Sequence, residues 1–199
     1  KKTKLDILTE EKIKGLIGEL LFLRDQLIPK FGGAESVKFW IGPQGTPQDF
    51  NVNECAIEVK CQLGGTIPSV KISSAEQLSS QLPKLYLFVV TLGKAERNNS
   101  AAVSLPFLIA EIVSHLEKES SSLNYFEDQL MEVGYFKSDR YLEYNYLLLE
   151  EHVYSVTGNF PRICPDDLKN GVISLNYSIG ISECLPYEIE LEEWELIHA

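Results

Sequence analysis

A chain of 199 residues, 44% of them hydrophobic, can bury a substantial core as one domain or as a core with an addition. It has no apolar run of membrane-spanning length and no signal-peptide pattern, which argues against membrane insertion and predicts a cytoplasmic protein. The net charge of −11 opposes electrostatic capture of nucleic acid, but residues 1–60 carry nine basic and nine acidic side chains, 61–120 five of each, and 121–199 four against fifteen. The acidic excess therefore belongs to the C-terminal region, a poor surface for DNA.

Thr9 followed by Glu10 and Glu11 predicts a helix start, with an N-cap and acids in the first turn. Ile13, Leu16, Ile17, Leu20, Leu23 and Leu27 continue it as one apolar stripe, and Pro29 marks its expected end. Residues 37–41 read as a strand stopped by Gly42-Pro43, 50–52 as a short second strand, and 56–62 as a third. Gly32-Gly33 and Gly64-Gly65 read as turns. Ser73-x-x-Glu76 is a capping-box pattern predicting a short helix through Leu82, closed by Pro83, before a buried strand over 85–92.

Beyond this point Ser104-Leu105-Pro106 predicts a helix to about Lys118, and 123–133 a second helix ending at Gly134. YLEYNYLLL and HVYSVTG read as strands, Asn159-Phe160-Pro161 as a loop, and 172–181 as a further alternating strand. The acidic, aromatic tail with Trp194 is expected to close the core or meet a partner. His115, His152 and His198 lack zinc-ligand spacing, and no Walker A, Rossmann or Gly-x-Ser-x-Gly signature occurs. Cys55, Cys61, Cys164 and Cys184 show no CxxC spacing and are expected to be reduced thiols. The chain opens on Lys1 and its one methionine is Met131, so it is expected to be a piece of something longer.

The most informative stretch is TPQDFNVNECAIEVKC, residues 46–61. Alternation along its strand puts Ala56, Glu58, Lys60 and Gln62 on one face, and Ile57, Val59 and Cys61 on the other. The second face is expected to be core and the first to carry chemistry. Two carboxylates and an ammonium on an apolar scaffold need pairing, solvation or a metal ion. Asp49 and Glu58 offer the hard oxygen donors that Mg²⁺ takes, one or two carboxylates completed by water and phosphate. Lys60 is then placed to orient water or offset charge on a phosphoryl group. A blander reading makes Asp49 a turn residue and Glu58 with Lys60 a surface pair.

Pro47-Gln48-Asp49 followed by Glu58-Val59-Lys60 resembles the PD-(D/E)xK motif of restriction enzymes and related nucleases, with one residue inserted between Pro and Asp. GLIGELLFL, FWIGPQG, QDF, IEVK and ISSAEQL resemble the signature blocks of a bacterial and archaeal group of PD-(D/E)xK motif proteins, well over residues 10–90 and loosely beyond. The resemblance implies an α/β (α+β) fold with a restriction-endonuclease-like core: a mixed central sheet flanked by helices and a C-terminal helix and strand extension. It implies a nuclease-like core over 1–100 and an acidic extension over 101–199, with a further N-terminal region in related proteins. The implied activity is Mg²⁺-dependent DNA endonuclease cleavage, with Mn²⁺ able to substitute, in prokaryotic restriction or phage defence. Asp49 and Glu58, helped by the Val59 carbonyl, would hold the metal, and Lys60 would assist the water. Glu19, on the shoulder of the first helix's stripe, would be a fourth catalytic acid, though by itself it reads as a solvated helix residue. Gln62 and Gln77 would line the substrate cleft or second shell. A homodimer or a defence-system protein is the implied partner besides DNA. The alternative is a catalytically silent nuclease fold for DNA binding or protein assembly.

Overall fold

The computed structural model describes residues 6–65, 67–116, 118–194 and 196; His198 lies outside the described residues. The chain forms two compact units interleaved in sequence, residues 1–38 with 94–147 and residues 39–93 with 148–199. No helix among the described residues is long and apolar enough to cross a membrane.

The first unit is helical. Helix α1, Glu10–Phe22, starts where Thr9 accepts a hydrogen bond from the Lys12 N–H at 3.4 Å, and it buries Ile13, Leu16, Ile17, Leu20, Leu21 and Phe22. Pro29 does not end the helical run. A widened π turn at Leu23–Leu27 precedes α2, Ile28–Phe31, in which Pro29 occupies the first turn, where a missing N–H costs least. Gly32, at φ +77°, stops the run instead.

The strand predicted over 37–41 does not form, since 37 and 38 end a helix. Helix α3, Gly33–Lys38, carries an i,i+3 ion pair between Glu35 and Lys38 at 3.0 Å, leaving only Trp40 as a bridge to Phe50. Gly33 belongs to this helix rather than to a turn, and its missing side chain is what the close approach needs, since a Cβ there would lie 2.8 Å from the His115 carbonyl oxygen. Helices α4, Leu105–Leu116, and α5, Ser120–Glu132, follow as expected, and Gly134 at φ +83° closes the second. Arg24 bridges Asp25 and Glu111, at 2.7 and 2.6 Å, tying the π turn to α4.

The second unit is built on a mixed five-stranded sheet. Its strands are β1 (Phe50–Val52), β2 (Cys55–Leu63), β4 (Lys84–Lys94), β5 (Tyr146–Ser155) and β7 (Glu188–Ile189), in spatial order β1-β2-β4-β5-β7. β1 and β2 form an antiparallel hairpin with Phe50 opposite Ile57, whereas β2 and β4 run parallel with Glu58 beside Leu87 and Lys60 beside Val89. In a separate antiparallel pair, β3 (Ser69–Ile72) with β6 (Tyr177–Gly180), β3 has no counterpart among the predicted elements. The strand expected over 172–181 shrinks to β6, and Ile173 ahead of it is 97% exposed. Only residues 146–155 of the two Tyr- and Leu-rich segments form strand, since Asp139–Glu143 winds into a 3-10 turn.

Both faces of the sheet are core, which corrects the expected division. Ala56, Leu85, Leu87, Val89 and Tyr154 pack with Val70, Ile72, Ile179 and Ile181 on the face that also carries Glu58 and Lys60. Burial instead falls along β2: Cys55–Val59 are buried and Lys60–Leu63 partly open. On the opposite face Trp194 seals the core, its ring 5.2 Å from Tyr86 and 5.9 Å from Phe88. The four cysteines are free thiols, Cys55 and Cys184 buried.

Candidate active site

Asp49 is the last residue before β1, and its backbone is fixed on three sides. Its N–H donates to the Ile57 carbonyl at 3.1 Å, and its own carbonyl accepts from the Ile41 and Gly42 N–H groups, both at 2.9 Å. Its side chain is fixed too, because Oδ2 accepts the Val59 N–H at 2.8 Å. The other oxygen lies against Gly42, where an added Cβ would stand 2.9 Å from Oδ1 and 3.1 Å from the Asp49 Cα. Gly42 is thus required by close approach, a role its position beside Pro43 at a presumed strand end did not reveal. Burial pushes the Asp49 carboxyl up to about 6, against the opposing pulls of the Val59 N–H and Lys60. A carboxylate held in this state favours a cation beside it.

Ile57 and Val59 turn their backbone groups toward β1, as the bonds to Asp49 establish. β1 ends opposite Ile57, so the Val59 carbonyl lies on the open edge beyond it, on the side where Asp49 sits. The even-numbered residues of β2 turn their backbone groups toward β4 and their side chains to the face shared with Leu85, Leu87 and Val89. Glu58 is 1% exposed and Lys60 15%, and their charges meet at 2.7 Å. Lys60 Nζ also donates to Gln77 Oε1 at 3.1 Å, and that oxygen accepts the Ser73 N–H at 2.7 Å. The ammonium is therefore held between two fixed oxygens.

Gln77 owes its position to Gln48. The predicted helix over 73–82 is only a 3-10 turn, Ala75–Leu78, closed by the Ser79 N–H on the Glu76 carbonyl at 3.0 Å. Gln48, buried at 7% exposure, braces that turn, its Nε2 donating to the carbonyls of Glu76, Gln77 and Ser79 at 2.7, 3.1 and 3.0 Å. Gln48 is a site-building residue that sequence reasoning passed over as an insertion; a polar residue next to the acid of the motif was the available signal.

The structure thus gathers Asp49 with Val59, and Glu58 with Lys60 and Gln77. Gln62 is not joined to Lys60. Its Nε2 donates to Thr91 Oγ1 at 3.0 Å and its Oε1 accepts the Ser69 N–H at 3.0 Å, so its bonds fasten β2 to β4 and β3. Glu19 is half-buried on α1, in the first unit. His152 pairs with Glu188 and Glu150 on β7 and β5. Among the described residues no group of three or more His, Cys, Asp or Glu is arranged to hold a metal. Mg²⁺ needs no such group, since one or two carboxylates suffice. Asp49, Glu58 and the Val59 carbonyl offer only oxygen donors, which fits such an ion.

A mixed sheet with an acid ahead of one strand and a Glu-x-Lys on the next defines an α/β domain of the PD-(D/E)xK, restriction-endonuclease-like class. The chain belongs to the family whose model is described as "Putative PD-(D/E)XK family member, (DUF4420)", which matches residues 1–182. No curated protein and no solved structure matches the chain significantly. Membership points to a nuclease-like protein, and PD-(D/E)XK nucleases generally use divalent metals.

Proposed function

We propose that this chain is a Mg²⁺- or Mn²⁺-dependent DNA endonuclease of prokaryotic restriction or phage defence, with its centre at Asp49, Glu58 and Lys60. The observation that carries the reading is the convergence of the motif's residues. Asp49 is locked onto the strand at Val59, and Lys60 is held at 2.7 Å from Glu58 and 3.1 Å from Gln77. Asp49, Glu58 and the Val59 carbonyl would hold the metal. When bound, that ion would lower the pKa of a water and offset charge on the phosphoryl oxygens.

The chain's own residues supply the rest. Lys60, fixed by two acceptors, presents its remaining donor capacity to the attacking water or to a phosphate oxygen. Gln77 keeps the ammonium in place, and Gln48 keeps Gln77 in place. Glu19 is carried as a further candidate acid, and Gln62 as a support of β2.

The test is cleavage of plasmid and linear DNA with Mg²⁺, Mn²⁺ or chelator. Activity is expected to need the metal and to vanish in Lys60→Ala and Asp49→Ala, with Glu19→Gln tested alongside. Equal activity in the folded variants would sink the assignment. The second reading, a silent module for DNA binding or assembly, draws on the closed Glu58–Lys60 ion pair, which occupies both charges. Tight DNA binding without cleavage would favour it, with a second copy or a defence-system protein meeting the acidic C-terminal region.

A further inference from the structure

Beside the candidate centre lies a cavity of about 440 Å³ that none of the roles above uses. It shares two walls with that centre. One is the loop carrying Pro47 and Gln48, immediately before Asp49; the other is the turn carrying Glu76, adjacent to Gln77. The third wall is Asn51 on β1, directly opposite Ala56 in the hairpin register. Phe50 and Val52 point into the core, so Asn51 projects to the face of Ala56, Glu58 and Lys60. The cavity therefore opens on the same side of the sheet as the proposed chemistry.

Its lining has a particular chemistry. Pro47, Leu82 and Pro165 supply apolar surface, and the exposed carboxamides of Asn51 and Gln81 stand at its margin. Glu76 is the one ionisable residue, and its negative charge disfavours a phosphate in the cavity itself. A flat, neutral, hydrogen-bonding ring suits this combination. Apolar contacts would cover its faces, and carboxamides, with a donor and an acceptor side by side, match the edge of a base and above all adenine.

We propose that this cavity receives one unstacked nucleobase of the DNA strand being cut, next to the scissile phosphate, with Asn51 and Gln81 reading its edge. The inference rests on the DNA-cleavage reading above and adds to it a source of substrate preference. A base taken out of the stack is easiest to supply from single-stranded or distorted DNA, so such substrates would be preferred over a regular duplex.

The experiment maps wild-type cut sites on mixed-sequence single and double strands, and places 2-aminopurine at each position around the preferred cut or, where nothing is cut, at each position along the bound strand. A preference for one base at a fixed position is expected, with a rise in 2-aminopurine fluorescence there on binding. In the Asn51→Leu, Gln81→Leu double variant the preference should fall about tenfold and the fluorescence rise should disappear. The variant's unfolding midpoint checks that it remains folded. An unchanged cutting pattern in the folded double variant, or a wild type that cuts without base preference, overturns the proposal. If the wild type binds the labelled strand and the fluorescence rise depends on Asn51 and Gln81 but no cleavage occurs, the pocket stands and the cleavage reading fails. Absence of both signals overturns the pocket.

Discussion

Gly42→Ala tests most directly how the centre is built. Gly42 has no positive φ, so an alanine there meets no backbone strain and the perturbation is the new methyl group alone. That methyl would stand 2.9 Å from Asp49 Oδ1 and 3.1 Å from the Asp49 Cα, where ordinary contacts begin at 3.4 Å. Relief needs a shift of about half an ångström in Asp49, against bonds from Ile41, Gly42 and Val59 at 2.8–2.9 Å. Overpacking of this kind costs about 1–3 kcal/mol, and on the proposed function displacement of Asp49 by that distance should slow cleavage by about ten- to a hundredfold. Two assays read it: urea unfolding, and amide hydrogen exchange at Val59, whose N–H should lose protection when Asp49 Oδ2 moves. Gly45→Ala is the control. Its φ of +77° makes the alanine strained, but nothing lies within 4 Å, so it should cost stability while leaving Val59 protection and cleavage rate intact. Wild-type exchange at Val59 in Gly42→Ala, with wild-type stability, would refute the close-approach argument.

Three further predictions concern separate parts of the molecule. An ordinary aspartate titrates near 3.8 and burial pushes Asp49 up to about 6, so the fold favours its protonated form; the cost of ionising it is absent below about pH 4 and grows as the pH rises through 6. In chelator, Asp49→Asn should therefore be the more stable protein at pH 7.5, the two converging near pH 4; a pH-independent difference in urea titrations would contradict this. Lys60→Met leaves Glu58, 1% exposed, without its ammonium and should cost about 3–5 kcal/mol, whereas adding Glu58→Gln should recover part of it; a double-mutant cycle without at least about 1 kcal/mol of coupling would count against the pair. Gly15, inside α1 with nothing within 4 Å of its Cβ position, should gain about 0.5–1 kcal/mol when changed to alanine, measured by thermal unfolding.

What the sequence disclosed was what local pattern can carry. The apolar stripe of α1, the strand-forming run of β2, the buried run of β4 and the Glu-x-Lys spacing are all properties of one element's own residues. What it concealed depends on partners far along the chain. β3 exists because residues 69–72 meet 177–180, a pairing no window of sequence contains. Residues 33–38 coil because Gly33 lets α3 approach the end of α4, not through any strand-like preference of 37–41. The motif itself holds the clearest case. Its spacing departs from the family pattern by one residue between Pro47 and Asp49, and that residue is Gln48, which holds three carbonyls of a turn about 30 positions away. The turn presents Gln77, and Gln77 holds Lys60. The inserted residue thus braces, through its carboxamide, the turn whose Gln77 holds the motif's lysine, a link between distant segments that the motif's own spacing does not contain.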